Sequence, residues 1–474
     1  MTEAPSSGAA VGPTTSREIL SLAVPAIASG FVMLGYHWIN QIWVGRLEGH
    51  GPVPVAALSV AMFGTWAFGA LSGLSGTGLA ALVGRYVGAG REDAARYVAS
   101  HGLRFAAFFG LVVGGLGMAL APLVAKATDV SGEAATLSTA YLRIFYAAGF
   151  AMLAQGAADA VFRGHGDTRT PFLVVAGTLV ANAALDPVFL FGFGPIPALG
   201  VPGAALATAI SMTGGAAASV LLLAQRGRLS SARPPDAALR LDPSTPIARG
   251  TIPFLDVSVV RRVARVGIPT VLSGLFFVGI YLFLSAVLTR VGGDAAQAGL
   301  GAGLRGEQVA GVFGWGFAAA ASSLVARRLG AGRPEDAARC AVRATIAGSV
   351  ACGVWGALLL VFAEPLARLF IPDPASGAAR ESAADFYRIV APCLLFQAWE
   401  TVLEGAFAGA GLTWPPMAVS MALTAIRIPI ARYVAFDLGG GVRAIWIVIS
   451  ATAALRGVFI AVWFSRGTWK HRRV

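Results

Sequence analysis

The sequence has 474 residues, of which 56% are hydrophobic and 13% are charged. A soluble domain carries about 25% charged residues, so the composition excludes an ordinary soluble globular protein. Apolar stretches of about 20 residues, long enough to cross the ~30 Å hydrocarbon core of a bilayer, recur along nearly the whole chain. The composition predicts an all-α polytopic protein that lies in the lipid bilayer of a bacterial inner membrane or plasma membrane.

The net charge of +12 comes mainly from arginines in short loops between apolar runs. This distribution is typical of the positive-inside rule and predicts cytoplasmic loops and termini, not a nucleic-acid partner. The three cysteines, Cys340, Cys352 and Cys393, have no spacing that indicates a zinc site or a disulfide framework. We expect no metal site and no cofactor.

Residues 1–17 lack the pattern of a cleavable signal peptide, so we expect a disordered tail. Twelve spans follow, separated by charge, glycine and proline. We number them one to twelve and place them at 18–45, 54–83, 96–123, 138–163, 171–193, 200–225, 263–290, 295–327, 338–364, 383–410, 415–437 and 441–465. This gives an N-lobe at 18–225, a cytoplasmic linker at 226–262, a C-lobe at 263–466 and a basic cytoplasmic tail at 467–474.

The two halves repeat each other. "LVGRYVGAGREDAAR" (82–96) returns as "LVARRLGAGRPEDAAR" (324–339), "PAIASG" (25–30) returns as "PTVLSG" (269–274), and "VFRGHGDTRTP" (161–171) is echoed by "AFAGAGLTWPP" (406–416). Because six spans return the chain to the same face, this is a parallel repeat with a pseudo-two-fold axis along the membrane normal. Such a repeat favours a transporter, although duplicated channels and scaffolds also exist.

Span five contains the first candidate site. An acid inside a span costs a few kcal/mol unless it faces protein or water, so such acids mark function. Asp186 follows Asn182 by four residues, so both lie on one helix face, and Pro187 frees a carbonyl of the preceding turn. These groups predict a proton or small-cation site; an interhelical hydrogen-bond clamp is the alternative.

The fourth span of each half carries a polar pair. The repeat aligns Gln155 with Glu400 and Asp159 with Glu404. Glu400 lies deeper and is the better candidate for a site. Asp159 and Glu404 lie near the cytoplasmic end, where a gate is one reading and an ion pair of Asp159 with Arg163 is another.

Two further spans carry polar candidates. In span one, Asn40 follows His37 by one turn and Tyr36 by four residues, and His37 could titrate near neutral pH. In span eleven, Arg427 needs a partner if it is buried, and we expect Glu400 or Glu404 to serve.

Six stretches make the chain similar to a known family over residues 18–469. They are "INQIWVGRLEG", "LVGRYVGAGREDAAR", "RGHGDTRTP", "NAALDPVFLFGFGPIPALGVPGAALATAIS", "GEQVAGVFGWGFAAAASSLVARRLGAGRPE" and "IRIPIARYVAFDLGGGVRAIWIVIS". In order and spacing they resemble the multidrug and toxic compound extrusion (MATE) family. The resemblance implies two six-helix lobes and export of organic compounds, driven by inward proton or sodium flow.

The resemblance is closer to the DinF-like branch, because the acid that NorM-like members carry in span seven falls on Val278. It implies an N-lobe cation site that contains Asp186, Asn182, Tyr36 and Thr208. The second aspartate of that site falls on Asn40.

In the C-lobe, the NorM-like aspartate of span ten falls on Gln397. Glu400 lies one turn from Gln397 and could take part of the coupling role.

We therefore expect a monomeric secondary antiporter, not an enzyme, that exports small organic, cationic or amphipathic compounds in exchange for protons by alternating access. Sodium is the alternative ion, which the loss of one carboxylate at Asn40 disfavours. The alternative functions are a flippase for lipid-linked or polyketide-like molecules and a membrane scaffold that has lost transport.

Overall fold

The computed structural model describes residues 15–44, 46–47, 53–127, 131–239, 251–252, 255–371 and 377–471. These residues are helical almost throughout, and the two-residue strands β1 (Thr251–Ile252) and β2 (Leu255–Asp256) pair antiparallel. The predicted tails at 1–17 and 467–474 lie partly outside the described residues. The prediction of an all-α polytopic fold is confirmed.

The first half of the chain contains nine helices among the described residues. They are α1 (Ser16–Val44), α2 (Val53–Leu71), α3 (Gly73–Gly88), α4 (Glu92–Ala127), α5 (Gly132–Ala147), α6 (Gly149–Gly164), α7 (Arg169–Phe191), α8 (Val201–Gln225) and α9 (Asp236–Leu239). Helices α2 and α3 form span two, and α5 and α6 form span four, whose two parts are bent by 52°.

The second half begins with the long helical run α10 (Val257–Gly330). Gly293 interrupts this run with φ 59° and ψ −156°, values that only glycine adopts readily, and so separates span seven from span eight. The remaining helices are α11 (Pro334–Val361), α12 (Ala363–Phe370), α13 (Gly377–Val390), α14 (Leu394–Gly409), α15 (Trp414–Ala425), α16 (Arg427–Arg432) and α17 (Gly441–Ser465). A 3₁₀ turn at Ala391–Cys393 joins α13 to α14, and a π-helical turn at Tyr433–Asp437 follows α16.

The helix bounds follow the sequence repeat. Span four runs from Gly132 to Gly164 and span ten from Gly377 to Gly409, a constant shift of 245 residues, and each span is broken near its middle. Helices α8 and α17, at the end of each half, both have 25 residues. The second half thus rebuilds the elements of the first.

Length and composition alone identify ten helices able to cross a membrane among the described residues, or eleven when the bent pair α5 and α6 counts as one span. Twelve spans were predicted. Span ten is the one that this criterion does not find. It consists of α13, which carries two arginines and two acids, and α14, which carries Glu400 and Glu404.

The described chain divides into two compact units, one of residues 28–271 and one of residues 15–27 and 272–471. Each boundary falls inside a helix, α1 in the first case and α10 in the second. Both boundaries also fall inside the repeated motif, "PAIASG" at 25–30 and "PTVLSG" at 269–274. The first turns of spans one and seven therefore belong to a different unit from the rest of each span.

Within the first unit, Asp256 anchors the linker to α4. Its carboxylate accepts hydrogen bonds from the Tyr97 hydroxyl at 2.9 Å and from the backbone and side chain of Ser258 at 2.8 and 2.6 Å, while its N–H donates to His101 Nδ1 at 3.0 Å. Burial raises the pKa of Asp256, but these hydrogen bonds and the charge of Arg233 outweigh burial and hold the pKa below its usual value. The ionised carboxylate therefore stabilises the docked linker.

Candidate functional site

The first polar cluster lies on spans one, four, five and six of the first unit. We call it the Asp186 cluster; its members are Tyr36, Asn40, Tyr141, Asn182, Asp186 and Thr208. Asp186 and Asn182 are 0% exposed, because both project from the buried face of α7, which also carries Thr178. All five N-lobe residues that the sequence predicted for a cation site are buried in this unit.

Two side-chain hydrogen bonds organise the cluster. Asn182 Nδ2 donates to Asp186 Oδ1 at 3.3 Å, and Asn40 Nδ2 donates to Thr208 Oγ1 at 3.5 Å. The second bond is long, so it constrains the two side chains weakly. The predicted pairing of Asn182 with Asp186 on one helix face is present in the structure.

The remaining oxygens of these groups are acceptors without donors. Among the described residues, Asp186 Oδ2, Asn182 Oδ1 and Asn40 Oδ1 are buried and accept no hydrogen bond. No arginine or lysine of the described residues forms an ion pair with Asp186, whose resolved polar partner is Asn182. Buried acceptors that lack donors cost free energy. A proton or a small cation would satisfy these oxygens.

Two tyrosines complete the surroundings of the carboxylate. Tyr36 and Tyr141 both lie close enough to Asp186 to interact with its charge, and both approach the Thr208 hydroxyl. The sequence predicted Tyr36 but missed Tyr141. Tyr141 lies in the first helix of the broken span four, and no motif or repeated pair marks that position.

The outer candidates of the first unit stand apart from this cluster. Asp159 is half-buried in α6, its Oδ1 accepts no hydrogen bond among the described residues, and it interacts electrostatically with Arg163 one turn further on. Gln155 is buried near Thr178. The side chain of His37 lies outside the described residues.

The second polar cluster lies in the second unit. We call it the Glu400 cluster; its members are Tyr281, Glu307, Gln397, Glu400, Glu404, Ser420, Arg427 and Arg456. At its centre, Arg456 Nη1 forms an ion pair with Glu400 Oε1 at 3.1 Å and donates a hydrogen bond to Thr424 Oγ1 at 3.0 Å. Both partners of this ion pair are more than nine-tenths buried.

The predicted pairing of Arg427 with Glu400 or Glu404 is wrong. Arg427 Nε donates to Thr452 Oγ1 at 2.9 Å, and its Nη1 donates to the Tyr281 hydroxyl at 3.4 Å. Arg456 pairs with Glu400 instead, because it projects from α17, which packs against α14. Sequence reasoning missed Arg456, although a second arginine inside an apolar span was itself a signal.

The other acids of this cluster have neutral hydrogen-bond partners. Gln397 Nε2 donates to Glu307 Oε1 at 3.0 Å, and the Ser420 hydroxyl lies 2.7 Å from Glu404 Oε1 and 3.3 Å from Glu400 Oε1. The cluster thus contains three carboxyl groups and two guanidinium groups, whereas the Asp186 cluster contains one carboxyl group and no arginine or lysine. The acids of the Glu400 cluster therefore have compensating positive charges nearby, and the acid of the Asp186 cluster has none among its members.

Comparison with known proteins identifies the chain. The sequence model of the MatE family matches it twice, over residues 25–188 and over residues 269–432. The chain belongs to the MatE family. Members of this family are membrane transporters, so the prediction of a MATE transporter is confirmed, while its placement in the DinF-like branch stays a prediction.

Relatives of this MatE chain span nearly its whole length. It is 25% identical over 464 residues to the probable multidrug resistance protein NorM of Thermotoga maritima, covering 98% of this chain and 95% of the relative. It is 24% identical over 385 residues to the FAD transporter of Shewanella oneidensis, covering 80% of this chain and 78% of the relative. Among solved structures, a MOP superfamily transporter from Pyrococcus furiosus has a TM-score of 0.85 at 22% identity and covers 96% of each chain. This last likeness supports the fold.

Proposed function

We propose that this MatE chain is a proton-coupled exporter of small organic compounds that works by alternating access, with Asp186 as the coupling carboxylate. The observation that carries the proposal is a fully buried carboxylate with no cationic partner among the described residues, beside amide oxygens that lack donors. A single charge in hydrocarbon costs a few kcal/mol, and a bound proton removes it. Proton binding at Asp186 therefore favours one packing of spans one, five and six over another.

The same geometry argues against sodium. A sodium ion prefers several oxygen ligands and is held best by negative charge, and Asn40 supplies an amide where a second carboxylate would add charge. Asp186 is the one acid of its cluster. A proton neutralises it fully, whereas a sodium ion bound there would have one charged ligand instead of two.

We place the coupling at Asp186 and not at Glu400, because the Arg456 guanidinium already compensates the Glu400 charge at 3.1 Å. A compensated acid gains less from a proton than an uncompensated one. Glu404, Gln397 and Arg427 then serve the same buried network, whose contribution is mainly structural.

The names of the relatives support the choice of cargo. Those named multidrug resistance proteins favour small organic, cationic or amphipathic compounds, and the Shewanella relative named as an FAD transporter adds an anionic alternative. The alternative functions are a flippase for lipid-linked or polyketide-like molecules and a scaffold that has lost transport. We propose a monomer whose two termini face the cytoplasm, because the arginine-rich loops then lie on the cytoplasmic side.

The testing experiment is efflux from vesicles that contain the purified chain, measured for a cationic dye and for FAD under an imposed proton gradient or sodium gradient. We expect efflux driven by protons, its loss in Asp186→Asn, and normal efflux in Asp93→Asn, an exposed control with the same change of charge. Efflux driven by sodium alone would overturn the choice of ion. The absence of gradient-driven flux of either compound would favour the flippase or the scaffold.

A further inference from the structure

Spans one and seven each begin in one compact unit and continue in the other, with the crossings at residues 27–28 and 271–272. If the exporter alternates between conformations, as the proposed function requires, the first turns of these spans must either stay on their unit or leave it. The contacts that hold those turns are therefore candidates for control of the cycle.

In the second unit, the first turns of span one are held on span eight. Arg328 Nη2 donates to Glu18 Oε2 at 2.8 Å, and Arg327 lies 3.9 Å from the other carboxylate oxygen. The Arg328 side chain is 2% exposed and the Glu18 side chain is 28% exposed, so this ion pair is partly shielded from water. The same face of the helix is buried at Ile19, Leu22 and Ala23.

In the first unit, the first turns of span seven are held on α3. Arg262 Nη1 donates to the hydroxyl of Tyr86 at 2.6 Å, and that hydroxyl donates to the Leu239 carbonyl of the linker at 2.7 Å. Tyr86 is fully buried, and Val263 and Val266 bury the same face of span seven.

The two contacts occupy the same positions of the repeat. Glu18 and Arg262 are separated by the 244 residues that separate "PAIASG" from "PTVLSG", and Tyr86 and Arg328 by the 242 residues that separate Arg85 from Arg327. The two halves place different chemistry at these positions, an ion pair in one and an arginine on a phenol in the other.

A glycine lies against a neighbouring helix beside each contact. A side chain at Gly316 of span eight would collide with Ile27 of span one, and a side chain at Gly267 of span seven would collide with the backbone of Leu74. Gly316 and Leu74 are again 242 residues apart. Their partners, Ile27 and Gly267, are 240 residues apart, which is one helical turn short of the 244-residue shift between spans one and seven. The close approach thus lies within one turn of the same repeat position in both units, with the glycine on opposite partners.

We infer that Glu18 with Arg328 and Arg262 with Tyr86 form two repeat-related clamps, which hold the first turns of spans one and seven on their units and open when the exporter changes state. The first clamp is an ion pair and is weakened by charge removal. The second is centred on the Tyr86 hydroxyl, which bonds both Arg262 and the Leu239 carbonyl, and Arg262 Nη1 also donates directly to that carbonyl at 3.3 Å.

The test measures the separation of the units in detergent micelles. Spin labels are placed at Asp93→Cys and Glu335→Cys, whose side chains are 84% and 73% exposed and lie one in each unit. The native cysteines are buried among the described residues, so they compete little for the label. The distance distribution is compared between the labelled parent, Glu18→Gln, Tyr86→Phe and their combination.

Two populations of label-to-label distance are compared, the one that dominates in the labelled parent and the alternative one. We expect each single variant to raise the ratio of the alternative population to the parent population by about tenfold, which is the effect of losing one charge-assisted hydrogen bond. The exchange Glu18→Arg with Arg328→Glu should restore the parent ratio. The control Glu364→Gln removes an exposed ion pair of the same 2.8 Å length within one unit and should leave the ratio unchanged.

Unchanged ratios in Glu18→Gln and Tyr86→Phe would overturn the inference, as would a shift of equal size in the control. Thermal unfolding of each variant shows that it is folded, and Tyr86→Phe keeps the buried ring. Because the measurement needs neither substrate nor gradient, the clamps can fail while proton-coupled export stands, and the reverse also holds.

Discussion

Asn182 donates a side-chain hydrogen bond to Asp186 over 3.3 Å, one turn away on span five. Both side chains are fully buried, and this is the side-chain hydrogen bond that the structure gives Asp186 among the described residues. The amide thereby fixes the orientation of the carboxylate. If Asp186 binds the coupled proton, the two residues act as one unit.

The first prediction is that their effects do not add. Asn182→Ala should lower proton-driven efflux about tenfold by releasing the carboxylate, and Asp186→Asn should abolish it. The double variant should equal Asp186→Asn, since an orienting residue has nothing left to orient. Efflux rates from reconstituted vesicles check this; independent, multiplying losses would contradict it.

The second prediction concerns the ion. Asn40→Asp returns a second carboxylate to the Asp186 cluster, close to Thr208. Two carboxylates hold a sodium ion better than one, so an imposed sodium gradient should begin to drive efflux. The parent protein and the isosteric control Asn40→Leu should show no sodium-driven efflux. A sodium response equal in all three proteins would speak against this account of Asn40.

The third prediction concerns the buried ion pair of the second unit. Arg456→Met leaves Glu400 buried without its cation, which typically costs about 3–5 kcal/mol of folding free energy. The double variant Glu400→Gln with Arg456→Met should be more stable than Arg456→Met alone. Thermal unfolding in detergent measures the order of stability of these variants. A double variant less stable than Arg456→Met would show that the unpaired Glu400 charge does not cause the loss of stability.

The fourth prediction is a pH dependence at the linker. The pKa of Asp256 is lowered in the folded protein, so its carboxylate stabilises the fold above the unfolded-state pKa of about 4 and loses that contribution as the pH falls through the folded value. Asp256→Asn should therefore lower the unfolding temperature by the same amount from pH 8 to about pH 5. The difference should shrink below about pH 4. A difference that changes most between pH 6 and pH 7 would contradict this assignment.

The sequence predicted the elements of the fold well, because hydrophobic length and the internal repeat are properties of the chain itself. The repeat even aligned Gln155 with Glu400, on spans that are broken at equivalent places. It could not show that α1 and α10 divide between two units, since that depends on which helix faces pack together. The repeated motif at each crossing was found in the sequence, but the sequence did not show that the boundary between the units falls there.

The candidate sites divide in the same way. Asn182 and Asp186 were predicted because they are four residues apart on one helix, a local relation. The partner of Glu400 was predicted wrongly, because the choice between Arg427 and Arg456 depends on the rotation of spans eleven and twelve. The hydrophobic pattern of an apolar span does not show which of its faces points toward span ten.

The central claim, that Asp186 carries the coupled proton, is tested most directly by proton flow driven by substrate. Vesicles that contain the purified chain are given an outward gradient of the exported dye and no other gradient, and the internal pH is recorded. The account predicts proton movement opposite to the dye in the parent protein and in Asp93→Asn, and none in Asp186→Asn. Proton movement at the parent rate in Asp186→Asn would contradict it.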